Sequence, residues 1–512
     1  MCCQNCVRRC SIMLTTIMPE AILTAAEKYS AKGTHPLTAM FGRDETANGV
    51  GYVIYCYFEI PENKTVDGFR VVFNPNGSLE YDSITHIIPA AAWYEREIKD
   101  MFGLVPKGHP DLRPLVLHET FPEDFYPLRK NVKVNAKVRG ERQFKVRTAK
   151  GEGLFEVPVG PIHAGIIEPG HFRFSQAGEA MLQLDAKLFY THRGIEKAVE
   201  GKTPYEALPI VERICGACSV SNTWSFCQAV EKAVNVKVPR RAEIIRTLLM
   251  ELERITNHVG DIGNIPAGVG FNPAISLGGR LKEKLMRLCE SVAGNRFLRG
   301  MIIPGGVSMD ITPELCDRIH QVMDEVADGV EDMATMFREQ ENFQNRIQTT
   351  GIVRNQTAMD LAMVGVGARA SGYSHDSRSD FTYGVYDELD FKPYTKTMGD
   401  VAARLLVRIG ELSASFEMVD KLIELLNSCG EQELSVAMES NEGSGWGISE
   451  SARGSNFQYV ALDGDGRIDR LFVRSASYAN WPALPIAVQG DIIPDFPLIN
   501  KSFELCYACI DR

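Results

Sequence analysis

No run of eighteen or more apolar residues exists in this chain, so no helix in it is suited to crossing a bilayer. There is no internal repeat, which sets aside solenoids and propellers. The first ten residues hold Arg8 and Arg9, but the apolar stretch after them is short and is broken by Thr15 and Thr16, unlike a signal peptide. Excess positive charge is missing too. The net charge is −11, and the one basic stretch, near residues 130–150, carries no nucleic-acid-binding motif, so nucleic acid is not an expected partner. A secreted disulfide framework is also absent: thirteen cysteines in 512 residues are odd in number and widely spaced. What is left is an ordinary globular composition, 45% hydrophobic and 24% charged, in a chain too long for one core. Two or three domains in a reducing cytoplasm are expected.

Two short stretches stand out against this background. One is Arg213-Ile214-Cys215-Gly216-Ala217-Cys218, and the other is Cys506-Tyr507-Ala508-Cys509, close to Arg512. Each is a Cys-x-x-Cys pair, a spacing that lets two thiolates converge on one metal from a single turn of backbone. Four thiolates favour zinc, an iron–sulfur cluster, copper(I) or nickel. Structural zinc sites usually gather their cysteines within a few tens of residues. These pairs lie at opposite ends of a large helical stretch, so they meet only in the folded domain, which suits a buried catalytic metal. Four more cysteines, Cys2, Cys3, Cys6 and Cys10, crowd the N-terminus. An iron–sulfur or zinc site is conceivable there, but residues 1–18 are read as a disordered leader.

After the leader, residues 19–130 have the pattern of a small α/β (α+β) domain. Pro19 to Lys32 reads as a helix, Gly51 to Ile60 and Phe69 to Phe73 as strands, and Ala90 to Phe102 as a helix stopped by Gly103. Residues 131–150 alternate cations with Val132, Val134, Val138, Phe144 and Val146, a basic linker or a solvated edge hairpin. From 151 to 512 the pattern is mainly helical. Pro239 to His258 places apolar residues at 244, 245, 248, 249, 252 and 255, one helical face. Helices are also expected at 277–292, 313–339, 359–366 and 398–427. Phe457 to Leu462 and Ile468 to Val473, joined by the turn Asp463 to Gly466, read as a hairpin.

Two resemblances give these segments a meaning. Trp93 to Gly103, with His109 to Arg113 and Pro127 to Lys130, resembles the signature of the 30 kDa subunit of respiratory complex I. Arg213 to Cys218, with Cys506 and Cys509, resembles the nickel–iron hydrogenase large subunit, a domain similar to the complex I 49 kDa subunit. Three further segments agree: Pro161 to Arg173, Arg193-Gly194-Ile195-Glu196, and Ser451-Ala452-Arg453-Gly454. Together they are similar to the membrane-associated formate hydrogenlyase (group 4) type. The fold implied is multidomain, a small α+β domain followed by a large mainly α-helical domain with a few peripheral strands.

The resemblance also implies a site. Cys215, Cys218, Cys506 and Cys509 would hold nickel, with Cys218 and Cys509 bridging to an iron that carries cyanide and carbon monoxide. Glu168 would relay a proton, and Arg453 would stand over the open coordination position. Glu196 would bind a secondary magnesium or iron, or else pair with Arg193. His163 and His171 read as structural. The chain departs from the family at Asn222, where a histidine is usual, at Glu504-Leu505, where Asp-Pro is usual, and at Ile510-Asp511-Arg512, where uptake enzymes end in histidine. Glu504 keeps a carboxylate for Arg453. The activity implied is reversible proton reduction to H₂ coupled to formate oxidation. Alternatives are a complex I-like NADH/quinone oxidoreductase subunit and a connector subunit without nickel. Apart from the N-terminal cysteines no cluster-binding pattern offers electrons a way out, so an iron–sulfur small subunit is implied. Ferredoxin-like subunits, membrane-arm subunits and a formate dehydrogenase follow by resemblance, with the chain cytoplasmic and peripheral on the inner face of the cell membrane.

Overall fold

A computed structural model describes residues 14–30, 36–142, 145–163, 167–430 and 432–512. The cysteines at 2, 3, 6 and 10 and residues 164–166 lie outside the described residues. The chain folds as two units: the residues up to Leu112 with Asp124–Val132, and Arg113–Glu123 with Lys133–Arg512.

In the N-terminal unit, a four-stranded sheet runs in the order Thr15–Ile17, Thr65–Phe73, Tyr52–Ile60, Leu37–Asp44, the first pair parallel and the others antiparallel. Residues 15–17 therefore belong to the sheet, although a leader was expected to extend to 18. Phe41, Tyr55 and Tyr57 stack across adjacent strands. The helix Ala91–Phe102 ends where Gly103 turns left-handed at φ 74°. Its Glu95 carboxylate is buried and accepts hydrogen bonds from the Ser83 and Thr85 hydroxyls and the Ile84 N–H.

The segment Arg113–Glu123, expected inside the first domain, belongs to the second unit. Arg113 forms a two-pronged ion pair with Asp185, at 2.9 and 3.0 Å. The basic linker is pinned there as well. Gly140 and Arg142 donate backbone N–H groups to Thr120 and Glu119, and the Arg147 N–H reaches Asp185. None of its described residues lies in a strand.

The second unit includes a three-stranded antiparallel sheet, Leu154–Val159, His171–Ala177 and Ala180–Lys187, for which no strand was assigned from the sequence. Long helices follow at Ser219–Val234, Arg240–Asn264, Asn272–Ala293, Pro313–Glu339 and Val401–Cys429. The helix expected at 359–366 is two short ones, Asn355–Asp360 and Gly365–Ala370. Ala362 and Gly365 take positive φ between them, which breaks the helical ladder.

The strands Gly443–Ser451, Gly454–Leu462 and Ile468–Arg474 form an antiparallel sheet that is not peripheral. All nine residues of Gly454–Leu462 are buried. Helix Ser219–Val234 lies directly on the first strand because Gly443, Gly445 and Gly447 present no side chain to it. A Cβ there would stand 2.1, 2.2 and 1.9 Å from the carbonyl oxygens of Ala233, Ala229 and Ser225. This close approach fixes the helix whose N-terminus carries the first cysteine pair.

Candidate metal centre

Each cysteine pair lies at the start of a helix, the first ending on the N-cap and the second beginning on it. Cys218 is the N-cap of helix Ser219–Val234, and Cys506 is the N-cap of helix Tyr507–Asp511. The Cys215 sulfur accepts the Ala217 N–H at 3.2 Å, and the Cys506 sulfur accepts the Cys509 N–H at 3.3 Å. Backbone N–H groups directed at sulfur favour the thiolate. The pairs meet: Cys215 Sγ lies 3.2 Å from Cys506 Sγ. The sulfurs of Cys215, Cys218 and Cys509 all lie within 4.8 Å of one another. Four sulfurs around one ion, each about 2.3 Å from it, lie roughly 3.8 Å apart, so this cluster is of the size a single soft metal draws together. Sharing hydrogen bonds with the other three cysteines drives the Cys215 thiol well below its ordinary value and holds Cys509 well above.

Arg453 stands at the tip of the two-residue turn joining Gly443–Ser451 to Gly454–Leu462. Its guanidinium grips Asp261 with both terminal nitrogens, at 2.8 and 2.9 Å, and donates through Nε to the Glu504 carbonyl oxygen at 2.9 Å. Glu504 was the expected carboxylate partner. Its side chain forms a longer ion pair with Arg453, at 3.9 Å, and also accepts from Asn264 at 2.6 Å. Burial opposes ionisation of Asp261, but Arg453, His258 and Arg408 together outweigh it and hold the carboxyl below the usual range. Arg408 also reaches Asp261 and ties down the Ser502 carbonyl oxygen just before the second cysteine pair.

Asp261 was missed because the expected helix, Pro239 to His258, stopped short of it and was read by its apolar face alone; the helix runs Arg240–Asn264. Glu251, Arg254, His258 and Asp261 form a second stripe, spaced three or four residues apart and just as buried. That charged stripe, unusual inside a core, was the available signal. Glu253, on the same helix, was missed without such a cue. Its carboxylate accepts the Val220 and Ser221 N–H groups at 2.6 and 3.1 Å, capping the helix that Cys218 leaves without a side-chain cap. Burial, and secondly the nearby Cys215, push its pKa up to about 8.

Glu168 accepts the N–H of Ala508, midway between Cys506 and Cys509, at 2.9 Å. Arg193 holds the same residue's carbonyl oxygen at 3.0 Å and reaches the carbonyls of Arg213 and Ile214, both at 2.8 Å. Arg193 thus bridges the two cysteine pairs through backbone and does not touch Glu196. His163 and His171 bond to the carbonyls of Gly170 and Gly160, in keeping with structural roles.

Glu196, expected to bind a secondary magnesium or iron, is otherwise engaged. One oxygen takes Arg470 at 2.7 Å, and the other takes Arg512 at 2.9 Å and the Val473 N–H at 3.0 Å. Asn222 is wholly buried in the first turn after Cys218, and neither its amide nitrogen nor its oxygen has a partner within the protein. A buried, unsatisfied amide one helical turn after Cys218 leaves hydrogen-bonding capacity unused by the protein itself. The soft, all-sulfur donor set suits nickel.

Comparison with known proteins agrees with this chemistry. The chain is 33% identical to hydrogenase-4 component G of Escherichia coli (strain K12), over 93% of this chain and 84% of that protein. It is 31% identical to formate hydrogenlyase subunit 5 of the same organism, with the same coverage. The chain belongs to the formate hydrogenlyase type of nickel–iron hydrogenase large subunits. Residues 193–260 match the nickel-dependent hydrogenase family, and residues 15–138 match the respiratory-chain NADH dehydrogenase 30 kDa subunit family. The 49 kDa subunit family of the same enzyme matches 269–442 and 431–512. A chain of the membrane-bound sulfane sulfur reductase, an archaeal respiratory membrane complex, superposes with a TM-score of 0.66 at 26% identity, covering 70% of this chain and 99% of that one. These relatives support an oxidoreductase acting on hydrogen, within an assembly that has a membrane arm. Among the described residues no helix is long and apolar enough to cross a membrane.

Proposed function

We propose that this hydrogenase large subunit catalyses reversible reduction of protons to H₂ at a nickel–iron centre, in an assembly coupled to formate oxidation. The observation that carries the reading is the meeting of two cysteine pairs 291 residues apart, with sulfurs 3.2 Å from each other. Cys215, Cys218, Cys506 and Cys509 would hold nickel. Cys218 and Cys509 would also bridge to iron bearing cyanide and carbon monoxide. When bound, such a centre supplies a site where H₂ is split or formed with two electrons.

The chain's own residues supply the rest. A thiolate of the cluster accepts or releases a proton, and Glu168, one residue away through the Ala508 N–H, takes it toward solvent. Arg453 stays charged at every accessible pH and keeps a fixed donor array beside the sulfurs. Asp261 orients that array from behind. Electrons leave through an iron–sulfur small subunit, with ferredoxin-like subunits, a membrane arm and a formate dehydrogenase completing the assembly on the inner face of the cell membrane.

The match to the 49 kDa family favours a second reading, a complex I-like subunit that works without nickel. Metal analysis of the isolated complex separates the two. Stoichiometric nickel, with iron beyond that of the partners' iron–sulfur clusters and infrared bands of cyanide and carbon monoxide, supports the hydrogenase. Absence of nickel from an assembled, electron-transferring complex sinks it.

A further inference from the structure

Glu196 sits in the short helix Ile195–Ala198 and is 5% exposed. A divalent cation there needs free carboxylate lone pairs, and magnesium needs near-octahedral oxygen ligands at about 2.0–2.1 Å. Neither oxygen is free in that sense: together they accept the Arg470 and Arg512 guanidiniums and the Val473 N–H. Burial disfavours the ionised form of Glu196, yet the two arginines outweigh burial and hold it below the usual carboxylate range. Two guanidiniums also carry the charge of one divalent ion. Adding the ion would leave a buried surplus of positive charge, which is strongly unfavourable.

The same residues fasten the end of the chain. Arg512 donates to the Val473 carbonyl at 2.6 Å as well as to Glu196. Its own carbonyl accepts the N–H groups of Arg193 and Gly194, at 2.7 and 3.0 Å. The Asp511 carboxylate takes the N–H of Thr191 at 2.8 Å and the Thr191 hydroxyl, and the Asp511 carbonyl bonds to the His192 ring. Residues 191–194 thus hold residues 511–512 by backbone and side chain together, two residues beyond Cys509.

The geometry points to a metal-free clamp: Arg470 and Arg512 take the place of a divalent cation on Glu196, and this ion-pair cluster fastens the segment that carries Cys506 and Cys509. The clamp does not depend on which metal the four thiolates hold. Because arginine does not deprotonate and the cluster is buried, closure resists chelators and salt.

The test uses the isolated complex. Magnesium, iron and nickel are counted in one digest, and amide hydrogen exchange is followed at residues 508–511 with and without EDTA. The clamp predicts no stoichiometric magnesium, no iron beyond that of the nickel centre and the partner subunits' iron–sulfur clusters, and exchange that EDTA does not change. Arg512→Met and Glu196→Gln should each speed exchange there by about 10²–10³-fold, the effect of breaking a buried pair. The double variant should exchange no faster than the quicker single one. Stoichiometric magnesium, iron in excess of the nickel centre and the partners' clusters, EDTA-accelerated exchange, or additive variants overturn the clamp. Should the variants fail to fold, the wild-type metal count and EDTA response decide alone. Nickel is read on a separate element, so failure of the proposed centre is distinguishable from failure of the clamp.

Discussion

The two cysteine pairs look alike in sequence but are held by different physics. Cys215 and Cys218 lead into a sixteen-residue helix laid against a buried sheet, with glycines opposite its backbone. Their position is set by close packing, which is stiff and cooperative with the whole unit. Cys506 and Cys509 sit on a helix of only five residues, Tyr507–Asp511. Their position is set by side chains from elsewhere: Glu168 and Arg193 on the Ala508 peptide group, Ser477 on the Cys506 N–H, and Glu196 on Arg512. One half of the centre is scaffold. The other is a polar closure that can open locally without unfolding the core.

Substitutions can break that contrast. The largest effect is expected from Cys509→Ala, which should abolish nickel retention and H₂ turnover together; normal turnover in that variant would refute the site. Gly445→Val should act on the scaffold half. Its Cβ would meet the Ala229 oxygen at 2.2 Å, costing about 3 kcal/mol or more in a global denaturant transition. A normal transition would mean the helix can move off the strand. Glu168→Gln should keep the metals but slow proton–deuteron exchange by about 10²–10⁴-fold; unchanged exchange places the proton exit elsewhere. Asp261→Asn should loosen Arg453 and lower kcat by about 10²–10³-fold at normal nickel content, and a change confined to KM would assign Asp261 a different part.

The smallest effect concerns Glu253. Its pKa is raised to about 8 in the folded chain, so the folded state binds the extra proton. The stability it contributes is complete below the unfolded carboxylate's value and is lost as pH rises through about 8. Stability of the metal-free chain should therefore decline from pH 5 to 8, and Glu253→Gln should flatten that slope. An identical slope in the variant would show that other groups carry it.

Much of the frame was legible because its signals are local. Gly103 stops a helix by adopting left-handed φ, and Ile468–Arg474 pairs across a predicted turn. The apolar face of Arg240–Asn264 follows from its period. The misses came where distant chain decides. The sheet spanning 154–187 gives no strong alternation, since several of its residues are only half-buried. Gly443, Gly445 and Gly447 look like a weak strand until a helix backbone is seen against them. Glu504, matched to Arg453 by resemblance, does pair with it at 3.9 Å, but Asp261, which was not expected, approaches both terminal nitrogens from another helix.

By itself the sequence determined the donor chemistry of the centre: four thiolates in two Cys-x-x-Cys pairs, with a glutamate and an arginine drawn from separate segments. Residue type and short spacing suffice for that, because they fix which atoms can bind and how far a single turn can reach. Only the tertiary structure decided what surrounds the thiolates. Asp261 behind Arg453, Glu253 capping the first cysteine helix, and Arg470 with Arg512 on Glu196 all join residues tens to hundreds of positions apart. Buried charges choose partners by desolvation and geometry, and neither exists until the chain has folded.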